Sequence, residues 1–254
     1  MSDIGLVWIR EDFRIENNAA LSYATQNHKN VIAFYIYNNN DYDNKREAQK
    51  WWLSKSLENF KKDLSNYKIN FQIIKGDELG IFSKIKKNDN VSIYWNKIYE
   101  PDVISKGKKI RDILVKNEIN FKYFKGNILN EFQEVTKNDK TPFKVFTPFW
   151  RTAEKIYLGL PPTKNYIVKK QSQIKSFFKS CINPNDILPK KNWYKKFENY
   201  WIVSENNSKK ILKNLIDNKI KDYGTSRDIP SVEGTSKLSP YIKFGQIHVG
   251  TIWK

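Results

Sequence analysis

Ile4-Gly5-Leu6-Val7-Trp8-Ile9, running straight into Arg10-Glu11-Asp12-Phe13-Arg14, is the stretch whose reading decides the fold. A short uncharged run that stops abruptly at a charged loop reads as a buried strand of a parallel sheet. Four more apolar runs follow, at residues 31–37, 70–74, 91–95 and 120–124. Helical patterns lie between them. In residues 46–67, Trp52, Leu53, Leu57, Phe60 and Leu64 recur at steps of one, three or four. In residues 101–117, Val103, Ile110, Ile113 and Leu114 do the same, and Pro101 suits a first helical position. Strand–helix alternation implies parallel strands joined by right-handed crossovers, hence an α/β fold with a doubly wound five-stranded parallel sheet over residues 1–130. Such sheets bind ligands beyond the carboxyl ends of their strands.

The alternation ends near Asn130. Residues 131–200 read as a connector. They include an aromatic stretch at 143–149, bounded by Pro142 and Pro148, and a second at 160–166 with Pro161 and Pro162. So aromatic a segment packs on a neighbouring domain rather than staying solvated. Residues 201–254 read as the start of a helical domain. A new helical pattern begins near Ser208 with Ile211, Leu212, Leu215, Ile216 and Ile220, and another helix is expected to run to Lys254. That last stretch is too short to bury its own apolar face.

Composition sets limits. No apolar run approaches the ~20 residues that a membrane-crossing helix needs. The first ten residues lack a signal-peptide layout, and a cytoplasmic protein is the simplest expectation. Cys181 is the single cysteine, so disulfides within the chain and Cys₄ zinc sites are excluded. The formal net charge is +18, with 39 Lys against 6 Arg. Net charge is +6 over residues 1–130 and +12 over 131–254. A basic second half suits a polyanion such as DNA. A solvated lysine surface, enriched by AT-rich codons, accounts for the same composition, and the two readings stand about even.

Glu233-Gly234-Thr235-Ser236-Lys237-Leu238-Ser239-Pro240 carries the most chemistry. Gly234 permits close backbone approach, Thr235, Ser236 and Ser239 bring hydroxyls, and Lys237 brings a cation. Ser239-Pro240 reads as an N-cap followed by proline at the first helical position, where free N–H groups meet a diphosphate. An ordinary capped helix start is the competing reading. His28 and His248 are isolated, no nucleophile–base pair stands out, and no metal-ligand set is present.

Three motifs carry a resemblance. Tyr223-Gly224-Thr225-Ser226-Arg227-Asp228 with residues 233–245, ending Ser239-Pro240-Tyr241-Ile242-Lys243-Phe244-Gly245, closely resembles the flavin-phosphate segment of the DNA photolyase/cryptochrome family. Val7-Trp8-Ile9-Arg10-Glu11-Asp12-Phe13-Arg14, with Asn18 and Ala20-Leu21, is similar to its first strand and turn. Phe143-Lys144-Val145-Phe146-Thr147-Pro148-Phe149-Trp150 is similar to its connector. The resemblance implies a deoxyribodipyrimidine photolyase, a light-driven carbon–carbon lyase. Such an enzyme splits cyclobutane pyrimidine dimers in DNA by electron transfer from reduced FAD. A cryptochrome-like blue-light photoreceptor shares these motifs. A stand-alone nucleotide-binding α/β module is a third reading, from a different class.

By the resemblance, Tyr223 borders the flavin, and Thr235, Ser236, Lys237, Leu238 and Ser239 hold the FAD diphosphate. Arg227 matches a position near the DNA backbone, with pairing to Asp222 or Asp228 as its alternative. Arg10, Asp12 and Arg14 read as domain packing rather than ligand contacts. Glu100 stands where some members bind a methenyltetrahydrofolate antenna through an Asn-Glu pair. Here Tyr99 precedes it, and an acid at a helix start also has a purely local use. Asn17-Asn18 replaces the family's common Asp-Asn. Trp253 matches no electron-relay position. The chain is expected to end before the adenine and isoalloxazine contacts, so no catalytic residue is assigned in this portion. It is expected to be inactive alone, as a monomer or paired with a complementary C-terminal fragment.

Overall fold

The structure is a computed structural model that describes residues 3–38, 46–158, 166–172 and 175–253. Five strands, β1 (Ile4–Trp8), β2 (Asn30–Tyr37), β3 (Asn70–Lys75), β4 (Val91–Asn96) and β5 (Asn120–Phe124), form one parallel sheet in the order β3-β2-β1-β4-β5. The helices between them are α1 (Ala19–Asn27), α2 (Glu47–Ser65), α3 (Glu78–Lys84) and α4 (Pro101–Lys116). The expected five-stranded doubly wound sheet is present, with strand ends within about a residue of the apolar runs.

Period-two alternation explains why the sheet is covered on both faces. Val7 and Ile9 point with Val31, Ala33 and Tyr35 into a core shared with α1 and α2. Leu6 and Trp8 point with Ile32, Phe34 and Ile36 into the opposite core, under α3 and α4. Asn18 caps α1, its side chain accepting from Leu21 N at 3.1 Å. Pro101 opens α4 as expected.

Beyond β5 the later part of the connector, from residue 167 to 187, packs against the sheet domain. Thr25 Oγ1 accepts from Lys169 N at 3.0 Å, Ile73 O from Ile182 N at 2.8 Å, and Ser54 Oγ donates to Pro184 O at 2.8 Å. Pro161 and Pro162 lie outside the described residues. The connector contains a helix that the sequence reading did not name: α5 (Phe146–Leu158) begins inside the aromatic stretch at 143–149. Pro148 falls in the first turn, where its missing N–H costs nothing.

The helical end comprises α6 (Glu205–Asn218), α7 (Tyr223–Ser226), α8 (Ser239–Lys243) and α9 (Val249–Trp253). Helix α6 starts before Ser208. Ser204 caps it, and Glu205 in its first turn accepts from Ile15 N at 2.6 Å. Polar first-turn residues carry no apolar period, which hid this start. Within α6, Leu212 and Leu215 are buried and Ile216 is exposed, as is Ile220 past the helix end.

The helical end and the sheet share one core. Val203, Leu212, Leu238, Tyr241, Phe244 and Ile247 join Phe13, Trp52 and Phe60 in the same cluster. Trp52 Nε1 donates to Gln246 Oε1 at 3.1 Å, and Tyr241 OH to Ile202 O at 2.9 Å. Gly245 has φ +64°, and a Cβ there would lie 1.9 Å from Glu11 O. Only glycine fits both constraints. Gly245→Ala should therefore lower unfolding free energy by about 3 kcal/mol or more, through clash plus backbone strain, as read from a urea melt.

Candidate cofactor and nucleic-acid site

The two halves of the 223–239 motif are brought together by a backbone crossing. A Cβ on Gly234 would lie 2.3 Å from the carbonyl carbon and oxygen of Ser226, so the chain passes Ser226 at a distance only glycine allows. Between them the chain turns tightly, with Ile229 N donating to Ser226 O and Gly234 N to Val232 O at 2.8 Å. Tyr223 and Arg227 occupy one side of this crossing. The Arg227 guanidinium lies 5.6 Å from the centre of the Tyr223 ring, and its Nε is 3.4 Å from Asp228 Oδ1.

On the other side, Thr235 and Ser239 are exposed, and neither hydroxyl makes a hydrogen bond among the described residues. Ser236 Oγ accepts from Leu238 N at 3.4 Å. Lys237 has φ +54°, an uncommon backbone for a non-glycine residue, and its Nζ pairs with Glu233 Oε1 at 2.7 Å. That pairing holds the Glu233 carboxyl below its ordinary range. Leu238 is buried at 2% exposure and anchors the segment in the core.

Ser239 is not an N-cap, which corrects the sequence reading. Leu238 occupies the cap position and Pro240 falls in the first turn of α8. This helix has five residues, so its dipole adds little, and the hydroxyls and Lys237 are the exposed polar chemistry left. The rest of the motif packs: Tyr241 is fully buried, Phe244 nearly so, and Gly245 forms the seam with Glu11.

The remaining motif residues have packing roles. Arg14 Nη1 donates to Gly245 O at 2.8 Å. Arg10 N donates to Asp12 Oδ1 at 2.8 Å, and the Arg10 guanidinium lies over Trp8 and donates to Asn96 O. Burial lowers the Arg10 pKa to about 10 despite Asp12. Glu100 is exposed and accepts from Lys243 Nζ at 2.9 Å, and the same ammonium holds Glu11. Burial works against the Lys243 charge, but these two carboxylates push its pKa up.

One residue escaped notice in the sequence. Asn96, ending β4, donates to Asp12 Oδ2 at 2.7 Å and to Asn18 Oδ1 at 2.9 Å, and accepts from Ala20 N. It fills the point between β1 and β4 where strand order reverses. An Asn closing an apolar run was the available signal. Elsewhere, an open groove of about 440 Å³ runs between the carboxyl end of α2 and the start of α6, and none of residues 223–239 lines it. Among the described residues no helix is long and apolar enough to cross a membrane.

A doubly wound α/β domain joined through a packed connector to a helical segment, with a polar crossing at 223–239, defines the class. The sequence profile described as DNA photolyase matches residues 5–169, and the chain belongs to the DNA photolyase family. The matched span includes the motifs at 7–14 and 143–150; the polar crossing lies beyond it. The chain is 28% identical over 264 residues to the deoxyribodipyrimidine photo-lyase of Agrobacterium fabrum, covering 98% of this chain and 52% of that protein. It is 24% identical over 261 residues to cryptochrome-2 of Arabidopsis thaliana, covering 98% and 42%. A bacterial class III photolyase structure from Agrobacterium tumefaciens superposes with TM-score 0.86 at 26% identity, over 100% of this chain and 52% of that one. The chain thus spans about half the length of these photolyases.

His248 yields a pH prediction. Burial lowers its pKa to about 4, with Arg14 and Lys125 adding repulsion. Its Nδ1 accepts from Gly250 N at 3.0 Å, which requires the neutral ring. The unfolded chain, with His near 6.5, binds more protons between those values, so stability falls as pH drops from about 6.5 to 4. His248→Gln should flatten that part of the Tm–pH curve while leaving other acid-sensitive groups in place.

Proposed function

We propose that this chain supplies the α/β domain and the diphosphate clamp of a flavin-dependent, light-driven lyase that reverses cyclobutane pyrimidine dimers in DNA. The observation that carries the reading is the Gly234–Ser226 crossing, which joins the two halves of the motif, Tyr223 and Arg227 on one strand of it and the unbonded hydroxyls of Thr235 and Ser239 with the Lys237 ammonium on the other. Hydroxyl donors with a nearby cation fit a diphosphate. Thr235, Ser236 and Ser239 hold the phosphoryl oxygens, Lys237 offsets their charge on release from Glu233, and the Leu238 amide lies in the same turn. Tyr223 borders the ring system. Arg227 exchanges Asp228 for a DNA phosphate. FAD, when bound, supplies the light-driven electron donation; the protein positions it and fixes its electrostatic surroundings.

The shared core argues against an independent nucleotide-binding module with an idle tail, because Tyr241, Phe244 and Trp52 pack together. Cryptochrome-like relatives keep a blue-light photoreceptor as the second reading. A folate antenna at Glu100 requires that residue to give up Lys243, which Glu11 can still hold.

The chain alone should retain little FAD, since its ligand-facing groups address only the diphosphate, at about 1.5–3 kcal/mol per charge-assisted bond before ordering costs. Fused to the half of the Agrobacterium fabrum protein that the match leaves uncovered, it should elute from gel filtration with flavin absorbance. Thr235→Ala or Ser239→Ala in that fusion should weaken FAD binding about tenfold or more. Stoichiometric flavin on the unfused chain, or no effect of either substitution, contradicts the clamp.

DNA binding by the unfused chain should be weak and nearly indifferent to dimers. Its log–log salt slope should be about −0.9 per phosphate neutralised. A strong preference for dimer-containing duplex in a filter-binding titration would place a lesion pocket within these residues and overturn that expectation.

A further inference from the structure

Beyond Pro189 the connector closes against α2 with a 3₁₀ helix, Asn192–Asn199, whose two sides differ in chemistry. Three residues per turn place Tyr194 and Phe197 in one column, and these are its two half-buried side chains. Phe197 packs edge-on against Trp51 of α2 with centroids 5.3 Å apart, and Trp193 packs on Phe197 at 5.2 Å. The outward side is polar and basic. Lys190, Lys191, Lys195 and Lys196 are exposed, against Glu198 as the one acid of residues 190–200. Glu198 is taken by Lys55 at 2.9 Å, and none of the four lysines closes an ion pair among the described residues. Two rings stand among these ammonium groups. Trp193, 39% exposed, is fixed by its Nε1 donating to Glu47 Oε2 at 2.8 Å. Tyr200 is 81% exposed, and its hydroxyl has no hydrogen-bond partner among the described residues. Its backbone is nevertheless ordered: Tyr200 N donates to Phe197 O at 3.0 Å, and the next ring, Trp201, packs on Trp52 at 5.3 Å.

We propose that this face is a binding surface for single-stranded nucleic acid, with Lys190, Lys191, Lys195 and Lys196 on the phosphates and Tyr200 and Trp193 stacking on unpaired bases. A large ring held out in water on an ordered backbone lacks a flat apolar partner, and a base supplies one. Lys196 follows Trp193 by one turn, so a cation and a ring share one outward column. From Trp193 to Tyr200 the chain rises about 14 Å at about 2.0 Å per residue, so one short strand reaches both rings. A duplex keeps its bases stacked on each other and can use the lysines but not the rings. A lipid surface fits less well: the apolar column of the helix is turned onto Trp51, and what remains outside is ammonium groups, an indole edge and a phenol. Lysines alone would accept any polyanion; the rings select one with π-faces. The surface shares no residue with the 223–239 crossing, and the inference rests neither on the diphosphate clamp nor on the family assignment.

The test titrates fluorescein-labelled oligothymidylate, and a duplex of the same length, with the 254-residue chain free of flavin, and reads fluorescence anisotropy over a range of salt. The single strand should bind severalfold tighter than the duplex. Tyr200→Ala should weaken single-strand binding about tenfold and leave duplex binding nearly unchanged. Lys195→Ala combined with Lys196→Ala should weaken both, and should lower the magnitude of the single-strand log–log salt slope by about 1.4, at about 0.7 per phosphate. Lys108→Ala combined with Lys109→Ala removes the same charge from α4, over the opposite face of the sheet, and should leave single-strand affinity nearly unchanged. All the substituted side chains are exposed, so the urea midpoint should stay in place. Single-strand binding that ignores Tyr200→Ala, or that falls equally with the α4 pair, marks a solvated lysine surface and overturns the proposal. Tyr200-dependent binding to phosphatidylglycerol vesicles, without preference for the single strand over the duplex, marks a membrane face and overturns it too. Because the readout uses neither flavin nor dimer, these failures leave the clamp reading untouched. Loss of flavin from the fusion, with single-strand binding intact, does the reverse.

Discussion

The Arg14 guanidinium sits in the seam between the sheet and the helical end, and much of the rest follows from the way its two Nη groups are held. At 3% exposure an ion this buried would be costly without partners. Its Nη1 finds Gly245 O at 2.8 Å and its Nη2 finds Asn17 O, while Asp12 and Glu205 supply compensating charge. The Gly245 carbonyl reaches it only because Gly245 lacks a Cβ and adopts a left-handed backbone. The loop after β1 and the turn after α8 must therefore form together. Phe13 N, donating to Phe244 O at 3.3 Å, and Lys243, holding Glu11, fasten the same seam on either side.

That seam fixes the polar crossing from its carboxyl side. With Tyr241, Phe244 and Gln246 locked into the core, Leu238 is drawn in as well, and residues 235–237 stand out as a short span between two anchors. The Gly234–Ser226 contact anchors the amino side. Inward and outward residues thus divide one continuous motif. Leu238, Tyr241, Phe244 and Gly245 pack, while Thr235, Lys237, Ser239 and Lys243 face water. From sequence alone the motif reads as one functional unit, although about half of it is core.

What the sequence made legible follows from how local each signal is. The strand runs at 31–37 and 91–95 were readable because a buried parallel strand needs uninterrupted apolar residues. Helix α2 was readable from its 3.6 period. Helix α5 was hidden, because Pro142 and Pro148 read as breakers when one of them in fact sits in a first turn. The start of α6 was hidden by its polar first turn, where Glu205 serves a loop 190 residues away. Contacts such as Arg14–Gly245, separated by 231 residues, leave no local trace at all. At residues 233–240 chemistry alone left a plain capped helix start as open as a phosphate cradle. The structure removes the cap from Ser239 and leaves its hydroxyl free.

The strained Lys237 backbone ties these points together. A non-glycine residue at φ +54° costs of order 1 kcal/mol, and such strain persists only where the surroundings over-determine it. Here the surroundings are the two anchors: Leu238 drawn into the core on one side, Gly234 pressed on Ser226 on the other. Lys237 therefore turns its side chain back over the span, where Glu233 holds it. A surface pair of this kind is worth little, about 0–1 kcal/mol, so the Lys237 ammonium leaves Glu233 at small cost. The span is thus ordered by core packing, before any partner meets it. The same span in a chain lacking the Arg14–Gly245 seam would lose its carboxyl-side anchor.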